Sequence, residues 1–223
     1  MTAVLIIGES GTGKTTSLRN LNPKETFIIG TINKPLPFKN KGYKIIAKEA
    51  DGKDNGGNIC CSDDSSIIVR TIDYISSKRP DIKTIVIDDF QYLMANEFMN
   101  RVAEKGYDKF SEIGKHAFDV INASRRIRED INLYILGHSD TDQSGKSKCK
   151  TIGKMLDDKV CLEGIFTIVL HSMVVDNHYV FLTQNNGMSI AKSPMGMFNK
   201  LLIDNDLKII NDTIKQYYQP ENL

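Results

Sequence analysis

The chain carries almost no net charge. Its 29 Lys and Arg stand against 28 Asp and Glu, a formal +1 over 223 residues. Global electrostatic attraction to nucleic acid is therefore excluded, and any such binding has to come from locally clustered charge. Cysteine is sparse as well. Cys60, Cys61, Cys149 and Cys161 contain no C-x-x-C pair, and adjacent Cys60-Cys61 is poor geometry for zinc or an ordinary disulfide. Free thiols in a reducing cytoplasm are expected. No apolar run approaches the ~18 residues of a membrane span. An apolar run begins at Val4, so no cleavable signal is expected. There is no internal repeat and no linker that would split the chain, so one α/β domain over residues 1–223 is expected.

What is present is concentrated near the start. Val4 to Ile7 reads as a buried strand, Gly8 breaks it, and Lys14 to Leu21 carries helix-forming residues. Between them Gly8-Glu9-Ser10-Gly11-Thr12-Gly13-Lys14-Thr15-Thr16 satisfies G-x-x-x-x-G-K-[ST] in the strand–loop–helix context that the motif requires. Glycines let successive backbone N–H groups turn inward around a phosphate, and a helix start points its positive end at the same anion. Lys14 is placed to neutralise β- and γ-phosphates, and the Thr15 hydroxyl to ligate Mg²⁺. A nucleoside triphosphate ligand, ATP with Mg²⁺, is expected here.

Further along, Thr26–Gly30 reads as a second buried strand, residues 31–42 as loop, and Tyr43–Ala47 as a short strand. Asn33-Lys34-Pro35-Leu36 lacks the final Asp of the guanine-reading N-K-x-D element. Residues 48–64 are polar and Gly-rich, an exposed loop with no closing Glu for calcium. Ser65 or Ser66 can cap a helix with the stripe Ile68, Ile72 and Ile75, ending before Pro80. Thr84-Ile85-Val86-Ile87-Asp88-Asp89 is an apolar strand ending in two carboxylates, the shape of a Walker B element. It is expected beside the phosphate-loop strand, delivering Asp88 to Mg²⁺. Asp89 either orients the attacking water or is a helix-start carboxylate favoured by the dipole.

Helices are expected over Gln91–Ala103 and Ser111–Ile131, separated by Lys105–Phe110. The strand Asn132–His138 ends at a position suited to sensing the γ-phosphate, and His138 is the candidate, against an ordinary strand-end histidine. Residues 139–150 have no apolar stripe, and Lys146, Lys148, Lys150 and Lys154 concentrate charge there. This is either a solvated loop or one ordered by nucleic acid. Ile165–Ser172 and His178–Gln184 read as an antiparallel hairpin, with Ser189–Lys192 as a third strand. Asp204 or Asn205 is expected to cap a final helix over Asp206–Tyr218.

In order, the elements resemble the RecA-type core of P-loop ATPases: a mostly parallel sheet flanked by helices, with a C-terminal antiparallel hairpin. Asp88-Asp89-Phe90-Gln91-Tyr92-Leu93-Met94, Lys150–Leu156 and Ala191-Lys192-Ser193-Pro194-Met195-Gly196 are similar to small phage-encoded AAA-type proteins, including the Sak-type proteins that consist of little more than a RecA core. That resemblance implies ATP-linked single-stranded DNA binding, annealing or recombination in the host cytoplasm. It also implies a homo-oligomer with nucleotide at subunit interfaces, and a single-strand-binding protein as a candidate partner. It places Lys192 where a cation reaches the neighbouring subunit's γ-phosphate. One departure stands out: RecA-like cores place a catalytic Glu after the second core strand, and here Gly30-Thr31-Ile32-Asn33 holds no carboxylate. Either Asp89 substitutes, or hydrolysis is slow and ATP acts mainly as a conformational ligand. Two rival classes remain, a nucleotide-binding assembly or scaffold protein without a DNA role, and a small-molecule or nucleotide kinase. The kinase reading is disfavoured because such enzymes generally need an arginine-rich lid, and Arg19, Arg70, Arg79, Arg101, Arg125, Arg126 and Arg128 form no such segment.

Overall fold

The computed structural model describes residues 2–40, 42–48, 55–153, 156 and 159–219. In chain order the strands are β1 (Thr2–Gly8), β2 (Thr26–Gly30), β3 (Ile59–Cys61), β4 (Thr84–Asp88), β5 (Asn132–Thr141), β6 (Ser147–Cys149), β7 (Ile168–Val175), β8 (His178–Leu182) and β9 (Leu202–Asp204). They form one nine-stranded sheet in the order β3-β2-β4-β5-β1-β7-β8-β9, with β6 paired to β5. From β3 to β7 that path is parallel; β8 and β9 are antiparallel. This is the α/β architecture of a P-loop NTPase core.

The central strands are continuous apolar runs because both faces are covered. Val4, Ile6, Ile28, Val86, Tyr134 and Leu136 face one side, against Leu18 of a short 3-10 helix (Thr15–Asn20) and Leu207, Ile210 and Ile214 of the last helix. Leu5, Ile7, Ile29, Ile85, Ile87, Leu133 and Ile135 face the other. There they meet Ile68, Ile72 and Ile75 of α1 (Ser65–Lys78), Leu93 and Met94 of α2 (Gln91–Asn100), and Ile113, Ala117 and Val120 of α3 (Asp108–Ala123). Each fully buried aliphatic side chain contributes about 1.5–3 kcal/mol. The last helix, α4, spans Leu207–Tyr218. No helix among the described residues is long and apolar enough to cross a membrane.

Several sequence expectations change. β4 is not beside β1: β5 lies between them, pairing Gly8 with His138 on one side and Ile87 with Ile135 on the other. A parallel strand's neighbours are set by crossovers, not by its own residues. The helix expected over Lys14–Leu21 is a six-residue 3-10 turn. Thr15, Thr16 and Ser17 are weak helix formers, and the Ser17 hydroxyl bonds back to the Lys14 carbonyl at 2.5 Å. Tyr43–Ala47 is no strand, although Ile45 makes one bridge to Ile59. Asn58 and Asn55 side chains take the Lys44 and Ala47 N–H groups that a ladder would use. The polar 48–64 stretch, of which residues 49–54 lie outside the described set, yields edge strand β3.

Asp64, not Ser65 or Ser66, caps α1 through the N–H groups of Ser66 and Ile67, and Asp206 caps α4. α2 stops at Asn100, and α3 starts at Asp108 and gives way after Ala123 to a 3-10 turn. The stretch 139–150 is a hairpin: β5 continues to Thr141 and pairs with β6. Its turn is closed by Asp142, whose carboxylate accepts from the Ser144 and Lys146 N–H groups. Ser189–Lys192 makes isolated bridges, and β9 supplies the third antiparallel strand instead. The β7–β8 hairpin turns where expected, on Asp176 and Asn177 with φ of +50° and +64°. β7 runs three residues later than expected, because Ile165 belongs to a 3-10 turn over Leu162–Ile165, and β8 ends at Leu182.

Candidate active site

The loop after β1 is built for close approach. A Cβ on Gly8 would lie 2.5 Å from the Ser172 carbonyl oxygen, so β7 can pack there against glycine alone. Gly13 has φ +90°, and a Cβ on it would meet the Tyr179 ring at 2.9 Å. The loop is braced from the C-terminal half. The Ser172 hydroxyl donates to the Thr12 carbonyl at 2.7 Å and accepts from Asn205 Nδ2 at 3.0 Å. Arg19 Nη1 donates to the Asn205 carbonyl at 2.6 Å.

Lys14 is 7% exposed. Its Nζ donates to the Gly8 and Glu9 carbonyls at 2.8 and 2.7 Å, which uses two of three ammonium protons. Burial lowers its pKa to about 8, against the pull of Asp88, Asp89 and Glu9. A buried ammonium held down in this way gains most from an incoming anion.

The Thr15 hydroxyl donates to both oxygens of Asp88, at 3.1 and 2.8 Å. Burial, and then the adjacent Asp89 charge, push the Asp88 carboxyl up to about 6. Hydroxyl and carboxylate oxygens brought together in this way suit Mg²⁺, a hard cation that takes oxygen ligands and keeps positions for phosphate. Asp89 follows with φ +60° and its N–H on Asp88 Oδ1 at 3.0 Å. Its carbonyl accepts from the Thr31 hydroxyl at 2.6 Å, and its carboxylate, almost fully buried, is ion-paired with Lys34.

His138 sits at the end of the buried part of β5, level with Gly8. Its N–H donates to Gln91 Oε1 at 3.2 Å. Gln91 Nε2 is buried with no partner among the described residues. Burial, and then the Lys14 charge, hold the His138 imidazole below its ordinary pKa.

Ser10, Gly11, Gly13, Lys14, Thr15, Thr16, Asp89 and His138 line one open cavity of about 290 Å³. Asp88 is not among its lining residues and joins it through the Thr15 hydroxyl, lining the adjoining recess with Thr15 and Lys34. Gly8, Glu9 and Thr12 frame the loop. Lys192 is not among the lining residues; it bridges Val169, lower on β7. Lys146, Lys148 and Lys150 occupy alternate positions on one arm of the β5–β6 hairpin, and the Lys150 N–H donates to the His138 carbonyl at 2.8 Å. Lys154 lies outside the described residues.

Three further residues line the cavity outside the motifs: Lys34, Pro37 and Tyr179. The position of Lys34 does carry a signal, because it follows β2 closely, in the stretch that lacks a carboxylate. That of Tyr179 does not, since its approach to Gly13 depends on how β8 lies beside β7. Comparison with known proteins agrees with the geometry. No curated protein matches the chain. The family model described as "AAA domain" matches residues 2–115, just over half of the chain, and covers the loop, the Thr15–Asp88 pair and Asp89. A parallel sheet of this order, a buried lysine in a glycine loop and a matching family model together make the chain a member of the AAA-type P-loop ATPase family.

Proposed function

We propose that the protein is a Mg²⁺-dependent ATPase acting as one RecA-like domain on single-stranded DNA, in phage DNA metabolism. The observation that carries the nucleotide part is the Thr15 hydroxyl on both Asp88 oxygens, beside the buried Lys14 ammonium. Bound Mg²⁺ would neutralise β- and γ-phosphate oxygens, held by Thr15 and Asp88. Lys14 turns from the Gly8 and Glu9 carbonyls to the phosphates. Asp89 orients water and accepts its proton, and His138 contacts the γ-phosphate. Engagement of Asp89 by Lys34 favours slow turnover in the absence of a partner.

The DNA part is supported by the hairpin lysines. Lys146, Lys148 and Lys150 share one face of an arm whose base is hydrogen-bonded to His138, so the γ-phosphate sensor and the basic face are mechanically joined. Such contacts are to backbone phosphate and carry little sequence preference. In the proposed homo-oligomer, Lys192 acts on the neighbouring subunit's phosphates, a role that rests on the resemblance of the Ala191-Lys192-Ser193-Pro194 stretch alone. ATPase activity measured with and without a single-stranded oligonucleotide tests the proposal. Hydrolysis that rises with the oligonucleotide is expected. Hydrolysis indifferent to it returns the protein to a nucleotide-binding scaffold role.

A further inference from the structure

The loop after β2 brings a cation to the place where a carboxylate is missing. Gly30 is in register with Asp88, the Thr31 N–H donates to the Asp88 carbonyl at 3.2 Å, and the Thr31 hydroxyl reaches the Asp89 carbonyl. Lys34 follows directly, ahead of Pro35, and the residue before a proline is confined to extended backbone. Its ammonium pairs with Asp89, and it lines the same cavity as Lys14, Thr15 and His138.

The two partners differ in freedom. The Asp89 side chain is 6% exposed, whereas that of Lys34 is 44% exposed, on a flexible four-carbon stem. The bond to Asp89 and the charges of both carboxylates outweigh the cost of burial and hold the Lys34 pKa above its ordinary value. A γ-phosphate entering this cavity meets Asp89 as a like charge and Lys34 as a counter-charge. The phosphate is the more highly charged anion, and an ammonium within the same cavity needs only side-chain rotation to change partners.

Building on the nucleotide-site reading above, we propose that Lys34 distinguishes nucleoside triphosphate from diphosphate: it rests on Asp89 without a γ-phosphate and moves to the γ-phosphate when one is bound. The exchange frees the Asp89 carboxylate at the moment when a hydrolysable phosphate is in place, and ADP leaves the pair closed. Lys34 thus acts as a cation in cis, in addition to Lys14.

The test compares equilibrium binding of ADP and of a non-hydrolysable ATP analogue, both with Mg²⁺. The proteins are the parent, Asp89→Asn, and two variants lacking both charges, Lys34→Gln/Asp89→Asn and Lys34→Met/Asp89→Asn. The first double variant keeps a neutral hydrogen-bonding pair and guards against misfolding in the second; circular dichroism confirms the fold of each. Relative to Asp89→Asn, the double variants are expected to bind the triphosphate analogue about 10- to 100-fold more weakly, the range of one charge-assisted hydrogen bond, with ADP affinity within about threefold. Lys34→Arg keeps the triphosphate preference. Double variants that bind the analogue as Asp89→Asn does would show that Lys34 merely neutralises Asp89, and double variants that lose ADP equally would show a cation indifferent to the γ-phosphate; either result overturns the inference. A parent that binds neither nucleotide overturns the site reading itself, a separate and visible failure.

Discussion

The two halves of the chain contribute to the cavity in different ways. Residues 2–115, which the family model matches, supply the phosphate loop, the Thr15–Asp88 pair, Asp89 and Lys34. Residues 116–223 supply what packs against those groups: His138 opposite Gly8, Ser172 and Asn205 against the loop backbone, and Tyr179 against Gly13. The chemistry is carried by short local motifs, while its rigidity and its connection to the rest of the molecule come from strands distant in sequence. Loop conformation is thereby tied to β7 and to the start of α4, and the position of His138 to the β5–β6 hairpin.

The largest expected effect lies in the first half. Asp89→Asn keeps nucleotide binding and loses about 10²–10⁴-fold in turnover, the usual contribution of a general base, as read in a steady-state ATPase assay. Parental turnover would reduce Asp89 to a helix-start residue. In the second half, Lys192→Ala is expected to cost about 10²-fold, below the ~10³–10⁵ of an arginine finger, because lysine offers a point charge. Its mixture with Lys14→Ala subunits regains activity; co-assembled mixtures that stay inactive would remove the trans role.

Replacing Lys146, Lys148 and Lys150 with Gln is expected to shallow the salt dependence of oligonucleotide binding by about two units, at ~0.7 per contact on a single strand, measured by fluorescence anisotropy. Identical slopes would leave the hairpin a solvated charge run. The smallest effect sharpens the comparison most. Ser172→Ala strips the Thr12 carbonyl and Asn205 Nδ2 of a buried partner, which costs about 1–3 kcal/mol, a drop of a few degrees in Tm. Nucleotide affinity falls with it, although Ser172 touches no phosphate. Unchanged affinity in that variant would mean that the C-terminal half covers the loop without shaping it.

The motif and the central strands were legible because each is written locally. Buried parallel strands are apolar runs, α1 shows its stripe of Ile68, Ile72 and Ile75, and the glycine loop has fixed spacing. Lys14, Thr15, Asp89 and His138 line one cavity. What was not legible depends on register or on side chains competing with backbone. The position of β5 between β1 and β4 lies in the crossovers. β3 is three residues in a polar stretch, and the 139–150 hairpin is made of polar residues whose turn is set by one Asp142 carboxylate. The Lys34–Asp89 pair follows from Gly30 lying level with Asp88, a fact about two strands at once.

The central claim is that the cavity at the end of β1 is a nucleotide site organised by Lys14. Its most direct test is an equilibrium titration of parent and Lys14→Ala proteins with ATP and Mg²⁺, with circular dichroism confirming that both are folded. Removing an ammonium that makes charge-assisted bonds to two phosphates is expected to weaken binding by about 100-fold or more. A folded Lys14→Ala protein that binds ATP as tightly as the parent would contradict the account.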